Sequence, residues 1–173
     1  MTDFRDSIEH PDLRTLYDYW NERRRGRRWP SRADINPLEL KFALGNLSLI
    51  DVSPTSPPRF TFRLFGTLFS QRLGQDLTGK TVDDIPDVGY RGEITAAYRK
   101  IVETGEPSVS LGERVLDGAP RRFETLRLPL SEDGQSVNMV MICALYFEPP
   151  PPSPVLGPGG ERTFTAPKTI KKD

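Results

Sequence analysis

The chain has 173 residues, in which 24 basic side chains balance 24 acidic ones, so its formal net charge is zero. A chain without excess charge has no long-range attraction for a polyanion. The single cysteine, Cys143, excludes an internal disulfide and fits a reducing compartment. The first residues lack the order of a secretion signal, and no apolar run approaches the roughly 20 residues of a membrane helix. We therefore expect a soluble, cytoplasmic protein.

The first predicted element is an amphipathic helix over residues 8–25, which Gly26 ends. Its apolar side chains follow the i, i+3, i+4, i+7 spacing of one helix face: Leu13, Leu16, Tyr17 and Trp20. Such a stripe has to be buried. It docks either on the chain's own sheet or on a second copy across a two-fold axis.

A second helix is predicted over residues 37–44, because Asn36 is a good N-cap and Pro37 suits the first helical position. A strand follows at about 47–52. The next strand begins at Arg59, where apolar and polar side chains alternate strictly, and Gly66 ends the alternation.

Three helical segments of different length come next. A short helix is predicted at 68–73, and the spacing of Thr81 and Asp84 indicates a capped turn. A longer helix is predicted from about 88 to 104, with Gly105 at its end.

Three strands complete the predicted sheet, at about 108–116, 121–130 and 136–147. Asp117-Gly118 and Asp133-Gly134 between them are strong tight-turn signals. The last strand is apolar on both faces, so it must be covered on both sides and lie inside the sheet. The helices between 68 and 104 can cover only one face.

The final segment is rich in proline and glycine, and we expect it to be extended or disordered and to add no hydrogen bonds to a sheet. The predicted organisation is therefore an N-terminal helical extension over 1–36, a folded domain over 37–147 and a tail over 148–173.

The order of two strands, three helices and three antiparallel strands resembles a PAS domain, in particular the PAS subfamily typical of alphaproteobacteria. Five stretches carry the resemblance: Leu16-Tyr17-Asp18-Tyr19-Trp20, Arg28-Trp29-Pro30-Ser31-Arg32, Phe62-Arg63-Leu64-Phe65-Gly66-Thr67, Asp76-Leu77-Thr78-Gly79-Lys80, and Leu128-Pro129-Leu130 with Asp133-Gly134. The resemblance implies an α+β fold, a five-stranded antiparallel sheet with helices on one face and a small cavity between them. It implies no particular ligand.

The resemblance places twelve side chains between sheet and helices as ligand-pocket candidates: Phe62, Leu64, Leu73, Val82, Ile85, Tyr98, Ile101, Val109, Leu111, Phe123, Met139 and Met141. On one interpretation they surround a small apolar or amphipathic molecule, with Tyr98 or Arg63 supplying the polar contact. On the other they fill the space themselves at ordinary core density.

Cofactors and catalytic groups find little support in the residues. Cys143 lies on a strand, not in the helical cysteine motif of flavin photosensors, and His10 lies outside the segment that resembles the sensor domain. One histidine and one cysteine do not make a metal site. We therefore expect no cofactor, no metal and no catalytic residues.

The alternative to a sensory domain is a small cone-shaped α+β enzyme that acts on a small molecule. Among the residues of the predicted cavity, only Tyr98 supports this alternative.

The partner-binding candidates are the apolar stripe of the first helix and the arginine segment that follows it: Leu13, Leu16, Tyr17, Trp20, Arg23, Arg24, Arg25, Arg27 and Arg28. The arginines either meet an acidic partner or are a solvated helix end that offsets the helix dipole. Nucleic acid is a further alternative, but the segment lacks exposed aromatic residues beyond Trp29. The sequence thus predicts a stand-alone sensory or regulatory domain that acts through a small ligand or partner proteins, with a homodimer expected.

Overall fold

The computed structural model describes residues 3–116 and 118–147, together with the backbone of residues 168–170. Within these residues the strands form one antiparallel sheet in the order β2-β1-β5-β4-β3-β6. The strands are β1 (Leu47–Val52), β2 (Phe60–Leu64), β3 (Ser108–Leu116), β4 (Ala119–Leu130), β5 (Met139–Tyr146) and β6 (Lys168–Ile170). The fold is α+β, as the sequence predicts.

The α-helices are α1 (Pro11–Arg23), α2 (Thr67–Leu73) and α3 (Val88–Thr104). Helix α3 has the predicted bounds because Asp87 accepts a hydrogen bond from the Tyr90 N–H at 2.7 Å and Gly105 takes the left-handed conformation at the other end. Helix α1 begins three residues later than predicted, after the His10 side chain, which caps it.

The predicted α-helix over 37–44 is instead two 3₁₀ turns, Pro37–Leu40 and Leu44–Asn46. The Asn36 cap forms as expected and accepts from the Leu38 N–H. Leu40 and Ala43 are the buried residues of the segment, and the backbone bonds from Ala43 N to Leu40 O at 2.9 Å and from Asn46 N to Ala43 O at 2.8 Å span three residues, as in a 3₁₀ helix. The predicted cap was right and the helix type was wrong.

Strand β5 lies inside the sheet, between β1 and β4. Its residues Met139–Leu145 are all buried, so both faces are covered as its two apolar faces predict.

Helix α1 packs against one face of the sheet of its own chain. Leu13 and Leu16 are completely buried, and Trp20 is 2% exposed. The Trp20 indole N–H donates to the Pro129 carbonyl at 2.9 Å, which ties the helix to β4. The apolar stripe therefore packs against the chain's own sheet, which is the first of the two alternatives that the sequence left open. Leu13, Leu16 and Trp20 are therefore not a free partner surface, and Tyr17 is half-buried against Phe4 and Trp20.

Three residues of the predicted tail form β6, which pairs with β3 through the registers Leu111–Ile170, Gly112–Thr169 and Glu113–Lys168. The expectation that the tail adds no hydrogen bonds to the sheet is wrong at these residues. Without β6, β3 would be an edge strand with unpaired backbone groups. The rest of the predicted tail lies outside the described residues.

None of the described helices is long and apolar enough to cross a membrane.

Candidate ligand cavity

A cavity of ≈ 540 Å³ lies between the sheet and the helices α2 and α3. Helix α3 supplies Tyr90, Ile94 and Tyr98, and α2 supplies Phe69 and Arg72. The sheet supplies the floor from β3, β4 and β5. The cavity is thus on the opposite face of the sheet from α1.

Seven of the twelve candidates line this cavity: Phe62, Leu73, Ile85, Tyr98, Val109, Leu111 and Phe123. Val109 and Leu111 are in register with Leu126 and Glu124 of β4. Glu124 contacts the chain just before α1, and Val109 and Leu111 share its face of the sheet, so the side chains of both point toward the α1 face although both residues border the cavity.

The other five candidates do not line the cavity. Leu64 is 42% exposed at the end of β2. Val82 and Ile101 are buried in the surrounding core. Met139 and Met141 lie on the wrong face of β5 for the predicted role, because Ile142, Ala144 and Tyr146 are the residues of that strand that line the cavity.

The apolar part of the lining is built from aromatic rings. Phe62 and Phe65 meet edge to face with centroids 5.1 Å apart, and Phe69 stacks on Phe65 at 5.5 Å. Across the sheet, the Phe123 ring lies over Gly112, where any Cβ atom would collide with it. The sequence patterns identify Phe62 and Phe123 but miss Phe65 and Phe69, which lie beyond the regular alternation of β2.

Two tyrosines of α3, Tyr90 and Tyr98, supply hydroxyl groups to the lining. Burial raises the pKa of both phenols, and that of Tyr98 lies far above its usual range. Both are therefore protonated at neutral pH. They can donate hydrogen bonds to a ligand, but neither is poised as a base.

The charged part of the lining consists of four basic residues and one acidic residue: Arg72, Lys100, Arg114, Arg127 and Glu93. The predicted polar contact, Arg63, is not among them, because it lies on the surface in an ion pair with Asp51 at 2.8 Å. The sequence patterns did not identify the three arginines as lining residues. The alternation of β4 could have found Arg127, since it lies four residues after Phe123 and therefore on the same face.

The arginine segment over 23–28 is engaged largely within the chain. Arg23 pairs with Glu39 at 2.6 Å and Arg27 pairs with Asp34 at 2.7 Å. Arg27 also donates to the Arg23 and Arg24 carbonyls, which satisfies part of the helix end. These contacts are those of a helix end, while the exposed side chains of Arg25, Arg27 and Arg28 still face solvent.

Arg28 and Trp29 join this segment to the end of α3. The Arg28 guanidinium donates to the Thr104 carbonyl and the Trp29 indole N–H donates to the Gly105 carbonyl, both at 2.7 Å. Gly105 has a φ of +69° and leaves no room for a Cβ atom beside Trp29. The segment is therefore in contact with the helix that lines the cavity.

Cys143 is a fully buried, free thiol on the α1 face of β5. Burial raises its pKa to about 12, so the reactive thiolate is suppressed, which fits its interpretation as a small buried hydrophobe. Among the described residues, no group of three or more His, Cys, Asp or Glu side chains could hold a metal ion.

A sequence model of the PAS domain family matches residues 8–143. The chain therefore belongs to the PAS domain family, whose fold is associated with sensing and signal transduction. The match begins before α1, so it includes the helix that covers the outer face of the sheet.

Solved structures with a similar fold include a VqmA dimer of Vibrio cholerae, studied in the absence of target DNA, at 12% identity and a TM-score of 0.49. The match covers 66% of this chain and 52% of VqmA, so this chain spans about half of that protein. The PAS domain of BvgS from Bordetella pertussis matches at 14% identity, with a TM-score of 0.39 and coverage of 64% and 86%. The PAS domain of an HTR-like protein from Haloarcula marismortui matches at 18% identity, with a TM-score of 0.39 and coverage of 64% and 88%. A search of curated proteins finds no match.

Proposed function

We propose that this chain is a sensory domain that binds a small amphipathic molecule in the cavity between the sheet and α2 and α3. The observation that supports this function best is the cavity of ≈ 540 Å³ itself. Ligand sites of small molecules occupy about 300–1,000 Å³, whereas a well-packed core leaves few voids larger than a water molecule. Of the two interpretations of the candidate residues, a ligand pocket is thus better supported than a filled core.

The ligand state would reach the surface through α3. Tyr90 and Tyr98 of this helix line the cavity, and its last turn holds Arg28 and Trp29. A shift of α3 on ligand binding would therefore move the arginine segment, whose exposed members could contact an acidic partner protein. We propose no homodimer through the α1 stripe, because Leu13, Leu16 and Trp20 of that stripe are buried in the chain's own core.

The binding function is tested with a neutral fluorescent probe, N-phenyl-1-naphthylamine, and with native mass spectrometry of protein purified from its own host. We expect saturable probe binding to the wild type. Ala144 is buried on β5 and lines the cavity, so Ala144→Phe should place a ring in it and abolish binding. The matched control is Ala33→Phe, at an exposed position outside the cavity, which should bind as the wild type does.

Thermal denaturation of Ala144→Phe verifies that the variant is folded, since filling a cavity leaves the core intact. Failure of the wild type to bind the probe and to retain any small molecule would contradict the proposal, and so would undiminished binding by Ala144→Phe.

A further inference from the structure

We propose that the ligand of this cavity is an organic anion, with an apolar body against the aromatic rings and an oxyanion head group on Arg127. This inference rests on the proposed function and names the chemical class of its ligand. Three observations support it: the environment of Arg127, the environment of Arg72, and the balance of charge around the cavity.

Arg127 extends from β4 into the cavity lining, next to the two tyrosines of α3. Its only hydrogen bond to a described residue runs from Nη1 to the Ser110 hydroxyl at 2.9 Å. Its Nε is buried and has no hydrogen-bond partner among the described residues. A buried guanidinium that lacks a carboxylate is costly, because its lost hydration is not replaced by an opposite charge.

Two exposed arginines, Arg5 and Arg63, each have the carboxylate partner that Arg127 lacks among the described residues. The carboxylate of Asp18 raises the pKa of Arg5, and that of Asp51 raises the pKa of Arg63. Burial lowers the pKa of Arg127, and among the described residues only Tyr98 and Tyr90, and no carboxylate, act in the opposite direction. A ligand oxyanion would supply the missing charge and accept from the planar donor fork of the guanidinium.

A second cation in the lining has the same character. The Arg72 guanidinium lies over the Tyr146 ring, 4.7 Å from its centroid, and among the described residues no carboxylate pairs with it. Burial lowers its pKa, and the positive charge of Arg114 lowers it further. Among the described lining residues, basic groups outnumber acidic groups by four to one. Low-dielectric walls concentrate such a positive potential inside the cavity.

The remainder of the lining requires an apolar body on the ligand. Phe62, Phe65 and Phe69 form a cluster of contacting rings, and Ile85 and Ile142 also line the cavity. A small inorganic anion would leave this surface in contact with water. An amphipathic carboxylate or sulfonate satisfies both parts of the cavity at once.

The test compares two probes that share one skeleton. N-phenyl-1-naphthylamine is neutral, and 8-anilinonaphthalene-1-sulfonate carries a sulfonate on the same ring system. For the wild type we expect the anionic probe to bind at least about tenfold more tightly, as one charge-assisted hydrogen bond implies. Displacement of either probe by 4-phenylbutanoate and by 4-phenylbutanamide then compares a carboxylate with its neutral amide, and the acid should displace at lower concentration.

Arg127→Met removes the charge and keeps an apolar side chain of similar length. It should reduce the anionic probe's advantage to less than about threefold while the neutral probe binds as before. Arg127→Lys keeps the charge without the fork and should retain part of the advantage. The matched control, Arg99→Met, removes an exposed arginine of α3 outside the cavity and should leave both affinities unchanged.

Equal binding of both probes to the wild type would overturn the anion proposal and leave the proposed function standing. An unchanged preference in folded Arg127→Met would do the same, and if that variant is unfolded the Arg127→Lys comparison decides. An advantage that Arg99→Met also removes would assign the effect to overall charge and overturn the role of Arg127. No binding of either probe would contradict the proposed function itself.

Discussion

The two faces of this sheet are covered in different ways. On one face, α1 places Leu13, Leu16 and Trp20 directly against the strands, and these side chains are buried almost completely. On the other face, α2 and α3 stand over a cavity of ≈ 540 Å³ whose lining includes three arginines. One face resembles an ordinary protein core and the other resembles a binding site.

Buried charge shows the same difference. Glu124 on the α1 face is completely buried, yet its carboxylate accepts the Glu9 N–H at 3.0 Å and the His10 N–H at 2.7 Å. Arg127, on the same strand and the opposite face, has one hydrogen bond to the part of the chain that the structure describes, and its acceptor is a neutral hydroxyl. The α1 face satisfies its buried charge within the protein, which suits a structural role, while on the cavity face no carboxylate of the described residues pairs with Arg127.

The largest expected difference between the faces concerns truncation of their apolar side chains. Leu16→Ala should lower the free energy of unfolding by about 3 kcal/mol, because a fully buried leucine leaves a new void. Phe69→Ala should cost about 1 kcal/mol or less, because this half-buried ring already borders a cavity. Urea unfolding followed by circular dichroism measures both. Equal losses would show that the two faces contribute alike to stability.

The next effect in size concerns the two buried charges. Glu124→Gln should cost about 2 kcal/mol, because a neutral amide oxygen accepts the two N–H groups less strongly than a carboxylate does, and the amide NH2 would face the Glu9 N–H that now donates to both carboxylate oxygens. Arg127→Met should be neutral or stabilising in the protein without ligand, because an apolar chain replaces a half-buried charge that pairs with no carboxylate of the described residues. The same unfolding assay tests this pair, and a larger loss for Arg127→Met than for Glu124→Gln would reverse our interpretation of the faces.

The smallest effect concerns the segment that leads from α1 toward the sheet. Burial opposes ionisation of Asp34, but hydrogen bonds from Ser31 and Arg27 outweigh it and lower the pKa of Asp34 to about 2. A carboxyl whose pKa is lowered by folding stabilises the protein above its unfolded pKa of about 4, and this contribution declines as the pH falls toward 2. Allowing for solvent screening, Asp34→Asn should cost about 1 kcal/mol at pH 7.

Unfolding free energies of the wild type and Asp34→Asn, measured from pH 7 downward, should differ by a constant amount above about pH 5 and converge below about pH 4. Arg27→Met is the matched control, since it removes one of the donors to the same carboxylate. A gap that does not change with pH would mean that the charge of Asp34 does not contribute.

Much of the fold could be predicted from local patterns. Asp87 and Gly105 fix the ends of α3, and the two apolar faces of β5 predict its central position. The cavity was harder to predict. Alternation shows that Met139 and Ile142 lie on opposite faces of β5, but it does not show which face meets α3, so Met139 and Met141 were assigned to the wrong side.

The missed arginines have a similar explanation. An arginine in a strand is normally interpreted as solvent-facing, and the sequence does not show that α3 lies over the Arg127 side of β4. Strand β6 was missed because its register depends on the unpaired edge of β3, which is far away in the chain.

The sequence by itself determined the order of β1 to β5 and α1 to α3 and pointed to the family, because caps, turns and periodic apolar residues act over a few neighbours. Only the tertiary structure decided that α1 docks on its own sheet and that three arginines surround a cavity on the opposite face. Those features arise when residues distant in the chain meet, and no local pattern specifies which of two apolar faces each helix will cover.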